Sequence, residues 1–204
     1  MSRTRLNGPA LGRKAATKSL APTHVVFCEG STEKHCLESL RQHHRMPSVQ
    51  VHVVDCGAEP GRVVREAAAR LKELRRTTPD ARVHVVFDRD EHPHFKAAVD
   101  QARQLGLHLG VSNPCFELWA MLLHVDQTAS LDTSEAQHRL KQLHPGYCHH
   151  RNPRLDRATV LANLPAARRR ARALAERARS LDEPLPNPCT TFHELVDAIF
   201  PSAP

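Results

Sequence analysis

No run in the 204-residue chain approaches the roughly 18 consecutive apolar residues that a membrane-spanning helix requires. Residues 1–22 carry basic side chains but no apolar segment of the kind found in secretory leaders, so the expected location is the cytoplasm, or the nucleus in a compartmented cell. The six cysteines, at 28, 36, 56, 115, 148 and 189, include no C-x-x-C pair, which argues against a disulfide framework and a zinc ribbon alike. A Walker-type G-x-x-x-x-G-K-[ST] loop is missing too, so any nucleotide hydrolysis is expected to belong to a partner. Nor is there an internal repeat of solenoid length. Lysine is scarce, with six of the 29 basic residues, and the rest are arginine.

What remains is a soluble globular composition, 40% hydrophobic and 25% charged. A net charge of +7 and a pI near 9.4 suit a polyanionic partner. The excess of Arg over Lys, beside many Ala and Pro, equally fits a coding bias, and this weakens the charge argument. Residues 1–22 hold five cations, no acid and several Gly, Pro, Ser and Thr, and are expected to form a basic flexible tail.

From His24 onwards β-rich runs alternate with helical periodicity. Strands are expected at His24–Cys28, Val49–Val54, Val83–Phe87 and Leu107–Val111. Helices are expected from Ser31 or Thr32 to about His44, over Gly61–Arg76 and His94–Leu105, and from Pro114 to about His124 with Asn113 as N-cap. This alternation specifies an α/β fold over 23–126: a parallel sheet of about four strands with helices on both faces. Beyond residue 126 strand signals vanish. Helical stretches near 133–143, 155–163, 165–181 and 190–200, with Pro165 starting a new helix, make 127–204 a helical extension packed on the core.

In an open parallel sheet the loops leaving the carboxyl ends of the strands share one rim. Glu29 follows the first strand, Asp88, Asp90 and Glu91 the third, and Glu117 lies in the first turn after the fourth. Each alone is unremarkable at a strand end, and Glu117 also suits the positive end of a helix. Together they repel one another unless a cation or proton intervenes, and hard oxygen donors in that number suit Mg²⁺ or Mn²⁺. A carboxylate-bound divalent ion activates water and stabilises phosphoryl charge. An Asp-x-Asp behind a strand also occurs in phosphatases that form an aspartyl-phosphate, but there it follows the first strand.

Glu-Gly after the first strand with Asp-x-Asp after a later one resembles the Toprim domain of topoisomerases, primases and OLD-type nucleases. CEGSTE at 28–33, FDRDEH at 87–92, SNPCFELW at 112–119 and NPCTT at 187–191, in that order, resemble the RloB family, over about residues 24–198. That resemblance implies a Toprim-like, Rossmann-like fold and a metal-dependent nuclease of phage-defence or abortive-infection loci. It implies cleavage of DNA or RNA, tRNA included, beside an AAA- or ABC-type partner ATPase. It makes Glu29, Asp88 and Asp90 the metal ligands and gives Glu29, with Glu33 and Glu117, a catalytic place. A non-catalytic Toprim-like sensor subunit, binding nucleic acid or a partner ATPase, is the alternative; a homo-oligomer is compatible with either.

Further phosphate contacts are expected from Asn113 and Asn187, each an Asn-Pro helix start, from Thr190, and from Arg168, Arg169 and Arg172 on the basic late helix. For the asparagines plain capping competes with anion binding, and for the arginines a solvated helix face does. His92 and His94 are neighbours of the Asp pair. His144, Cys148, His149 and His150 crowd together, but at a spacing that matches no standard zinc finger, and form a loop rich in His and Cys. Phe116 and Trp119 are expected in the core.

Overall fold

The computed structural model describes residues 22–54, 59–89, 92–179, 181 and 185–200. The tail at 1–21, and Asp90 and Glu91 among the acids, lie outside the described residues.

One five-stranded sheet organises the chain, in the order β2-β1-β3-β4-β5. β1 (His24–Cys28), β2 (Val49–Val53), β3 (Arg82–Asp88) and β4 (His108–Asn113) are mutually parallel. β5 (Cys189–Thr190) adds an antiparallel edge on Ser112 and Asn113. The first four match the expected strands. The fifth was not expected, because its two residues follow an Asn-Pro pair that has the look of a helix start.

Alternation along β1 shows how both faces are covered. Val25 and Phe27 pack with α2 (Pro60–Thr77) and α3 (Phe95–Gln104), while Val26 and Cys28 pack with α1 (Ser31–His43) on the other face. That second face also takes α4 (Glu117–Leu122), α5 (Thr133–Leu143), α6 (Arg157–Arg179) and α7 (Phe192–Ile199), so the helices beyond residue 126 share one apolar core with the sheet. Phe116 and Trp119 are both in it. Phe192 makes ring contact with both Phe116 and Trp119, and burial of the three stabilises this corner at about 25 cal/mol per Å² of apolar surface. The result is an α/β, Rossmann-like architecture. Among the described residues no helix is long and apolar enough to cross a membrane.

Two expectations about helix boundaries are corrected. Pro165 does not open a new helix: α6 runs through it for 23 residues. A mid-helix proline costs about 3 kcal/mol. Here Val160, Leu164, Ala167, Ala171 and Leu174 continue one apolar stripe across it into the core, and that packing holds the helix together. Asn113 is not an N-cap. It ends β4, is followed by a cis peptide to Pro114, and α4 begins only at Glu117.

Candidate functional site

The strand order places β2 and β4 on opposite sides of the β1–β3 pair. The chain leaves β1 towards one edge and β3 towards the other, so a crevice opens at the carboxyl ends of these two strands, the usual ligand position in such sheets. Glu29 stands at the end of β1, where its amide donates to Val86 O at 3.0 Å. Asp88 closes β3, and its own amide donates to Glu29 Oε2 at 3.3 Å. The two carboxylates are therefore fixed to one another through backbone. His92 Nε2 lies 3.7 Å from Glu29 Oε1.

Glu33 and Glu117 complete an acidic floor. Both line, with Glu29 and Asp88, one cleft of about 400 Å³. Glu33 is the third residue of α1 after its N-cap Gly30, and its carboxyl accepts from the Gly30 amide, which is the reach-back half of a capping box. Burial, reinforced by the charges of Glu117 and Glu29, pushes the Glu33 carboxyl up to about 8. It is thus protonated at neutral pH.

Glu117 is held differently although it is as deeply buried. Tyr147 Oη donates to Glu117 Oε1 at 2.5 Å, and His149 Nδ1 lies 2.7 Å from the same oxygen. Burial raises this carboxyl, but hydrogen bonds from His149, Tyr147 and Cys115 outweigh it and the net direction is downwards. Glu117 is ionised where Glu33 is neutral. Carboxyl groups driven apart in this way are the pattern of acid–base sites.

His149 and His150 also line the cleft. The crowd of ligand-type residues at 144–150 is in fact dispersed. His144 Nδ1 faces His124 Nε2 at 3.1 Å while its Nε2 accepts from the Asp156 amide, and Cys148 pairs by backbone with Asn152. Sequence reasoning missed Tyr147 and His149 as partners of Glu117. The 30-residue separation offers no spacing signal, and only the packing of the 144–156 loop on α4 brings them together.

The expected phosphate contacts fall elsewhere. Asn113 Nδ2 donates to Leu185 O, and Asn187 both donates to Leu131 O and accepts from the Leu131 amide, so each side chain is spent on tying loops. Thr190 is fully buried against Ser112 and accepts from the Phe192 amide. Arg168 is buried between Phe200 O and Asp197, and Arg172 shares Asp197. Asn113, Thr190 and Arg168 are buried and engaged within the fold, where they present little surface to a phosphate. Arg169, Arg172 and Asn187 are exposed.

Glu29, Glu33, Asp88 and Glu117 offer the cleft carboxylate oxygens, donors that suit a hard divalent cation. Among the described residues no group of three or more His, Cys, Asp or Glu is set to hold a metal ion as it stands. Glu29 and Asp88 share this cleft, and Asp90 lies outside the described residues.

No curated protein and no solved structure matches the chain. The model of the RloB-like proteins matches residues 24–199, nearly everything that carries the sheet, the cleft and the helical face, and the chain belongs to this RloB-like family.

Proposed function

We propose that the chain is a divalent-metal-dependent nuclease that hydrolyses phosphodiester bonds of DNA or RNA. The observation that carries this reading is the meeting of Glu29, Glu33, Asp88 and Glu117, delivered by three different strand ends, in one cleft. Carboxylates so gathered are stable only with protons or cations among them, and Glu33, raised by burial first and by Glu117 and Glu29 after it, already holds a proton. Glu29, Asp88 and Asp90 would hold Mg²⁺ or Mn²⁺. The ion supplies an activated water and stabilisation of phosphoryl charge.

The protein's own residues do the rest. Gly30 leaves room for Glu33, whose neutral carboxyl faces the cleft as a hydrogen-bond donor. The Asp88 amide fixes the orientation of Glu29. His150 lines the same cleft and offers a polar contact to a phosphodiester oxygen. A setting in anti-phage defence, in the cytoplasm and beside a partner ATPase, is carried by the family resemblance alone; no side chain bears on it.

The test uses the purified full chain with Mg²⁺ or Mn²⁺ on tRNA, single-stranded and duplex DNA, with and without a partner ATPase. Cleavage is expected from the wild type and is expected to be lost in Glu29→Ala and Asp88→Ala. Mn²⁺ should raise the wild-type Tm and leave that of Asp88→Ala unmoved. Cleavage surviving both substitutions would exclude this site, and no cleavage of any substrate would favour a binding or sensor role.

A further inference from the structure

We propose that His149, oriented by Glu117, is the general base that takes the proton of the attacking water in this cleft. The inference rests on the nuclease reading above and adds to it a residue outside the carboxylate set. Three observations carry it. Glu117 is 2% exposed, yet Oε1 receives both Tyr147 Oη at 2.5 Å and His149 Nδ1 at 2.7 Å. The His149 side chain is 41% exposed and lines the cleft that contains Glu29 and Asp88. And Glu117, buried behind the histidine, is committed to these hydrogen bonds.

An ionised carboxylate only accepts, so the proton of the neutral imidazole must sit on Nδ1 and the lone pair on Nε2. This is the arrangement in which a buried carboxylate fixes a histidine's tautomer and stabilises its protonated form when it takes a proton. Tyr147 has its place in the same logic. Its hydroxyl holds the carboxylate from the interior side and keeps Oε1 facing the ring. Tyr147 is a positioning residue, and so is Glu117.

The step balances without a further reagent. The water oxygen forms the new bond to phosphorus, and its proton passes to His149 Nε2. The phosphorus–oxygen bond to the leaving nucleotide breaks, its electron pair leaves with the oxygen, and that oxygen takes a proton from solvent. The imidazolium then returns its proton to bulk water through its exposed edge.

The dyad is tested apart from activity. Long-range ¹H–¹⁵N spectra of histidine-labelled full-length protein are expected to show His149 as the Nδ1–H tautomer, and Glu117→Gln to shift it towards Nε2–H. In the cleavage assay His149→Ala is expected to lose 10²–10⁴ in kcat. KM and the Mn²⁺-induced rise in Tm should stay as in the wild type, imidazole should restore part of the rate, and the acid limb of the pH–rate profile should vanish. Tyr147→Phe, which leaves both dyad partners in place, guards against a Glu117 variant that fails to fold; it should keep the Nδ1–H tautomer and lose less of the rate than His149→Ala. A wild-type Nε2–H tautomer, or His149→Ala within about twofold of wild type, overturns the proposal while the nuclease reading stands. A wild type that cleaves nothing removes both.

Discussion

Gly30 and Glu33 are packed so closely that a Cβ on Gly30 would lie 2.5 Å from Glu33 Oε2. The Gly30 backbone, at φ −121° and ψ 167°, is open to any residue, so the requirement for glycine comes from the carboxyl folded over it. Gly30→Ala is expected to fold, at a cost of about 1 kcal/mol for a poorer N-cap. It should lose cleavage by about 10²-fold, since displacement of a catalytic group by an ångström has that effect. Thermal unfolding beside steady-state cleavage separates the two. A Gly30→Ala enzyme with wild-type rate would mean that the position of Glu33 is immaterial.

Glu33 also gives the protein a pH dependence of unusual sign for a carboxyl. Its folded value is raised from 4.5 to about 8, by burial first and then by Glu117 and Glu29. The folded state therefore keeps a proton that the unfolded chain releases. The stability this group contributes is complete below about pH 4.5 and is lost as pH rises towards 8. Glu33→Gln, which stays neutral throughout, should be more stable than wild type by a few kcal/mol at pH 8 and equal to it near pH 4.5. Denaturant unfolding at several pH values, without divalent ions, reads this directly. Parallel curves for the two proteins would show that Glu33 is ionised in the fold.

How far the site was legible depends on which interactions carry the information. Glu29, Asp88 and Glu117 were placed on one rim because near-continuous apolar strands ended immediately before them, and strand direction alone fixes that edge. Glu33 needed the family motif as well. Arg168 and Arg169 are adjacent in an arginine run, yet one is buried and one exposed; only the docking of α7 on α6 tells them apart. Asn113 and Asn187 show the same ambiguity. An Asn-Pro pair has one appearance whether it caps a helix or ties a loop. His149 was out of reach for a related reason, since its role is set by the carboxylate on which a distant loop lands.

Acid sensitivity is expected from the other end of the sheet. His24, His84 and His108 lie across β1, β3 and β4, with the His84 ring 5.2 Å from that of His24 and 4.9 Å from that of His108. Burial first, then Arg82 and the neighbouring histidines, lowers His24 and His84, the latter to about 2, and burial with Arg82 lowers His108. Each takes up a proton less readily in the fold than in the unfolded chain, which binds one below about pH 6.5, and His84 stays neutral in the fold. Their contribution is therefore complete above 6.5 and is lost as pH falls. His84 alone should lower stability by about 1.4 kcal/mol per pH unit in that window. Between pH 6.5 and 4.5 the wild type should lose about 2–3 kcal/mol more than His84→Gln, which does not titrate. Equal losses would place the acid limb elsewhere.

The arginines of α6 provide a contrast between structure and surface. Arg168 Nε lies 2.7 Å from Asp197 Oδ1 and its guanidinium donates to Phe200 O at 2.6 Å, so one buried side chain joins α6 to both the middle and the end of α7. Removing one partner of a buried pair costs about 3–5 kcal/mol, and the part exposure of Asp197 reduces that here to about 2–3. Arg168→Ala should lower Tm accordingly. Arg168→Lys should recover little, because a single ammonium cannot serve both acceptors. Arg169→Ala, on the exposed side, should leave Tm within error. Polynucleotide affinity, followed against salt concentration, should weaken for Arg169→Ala alone if α6 touches phosphate at all. Loss of affinity in Arg168→Lys at unchanged Tm would return that residue to the binding surface and contradict its place in the fold.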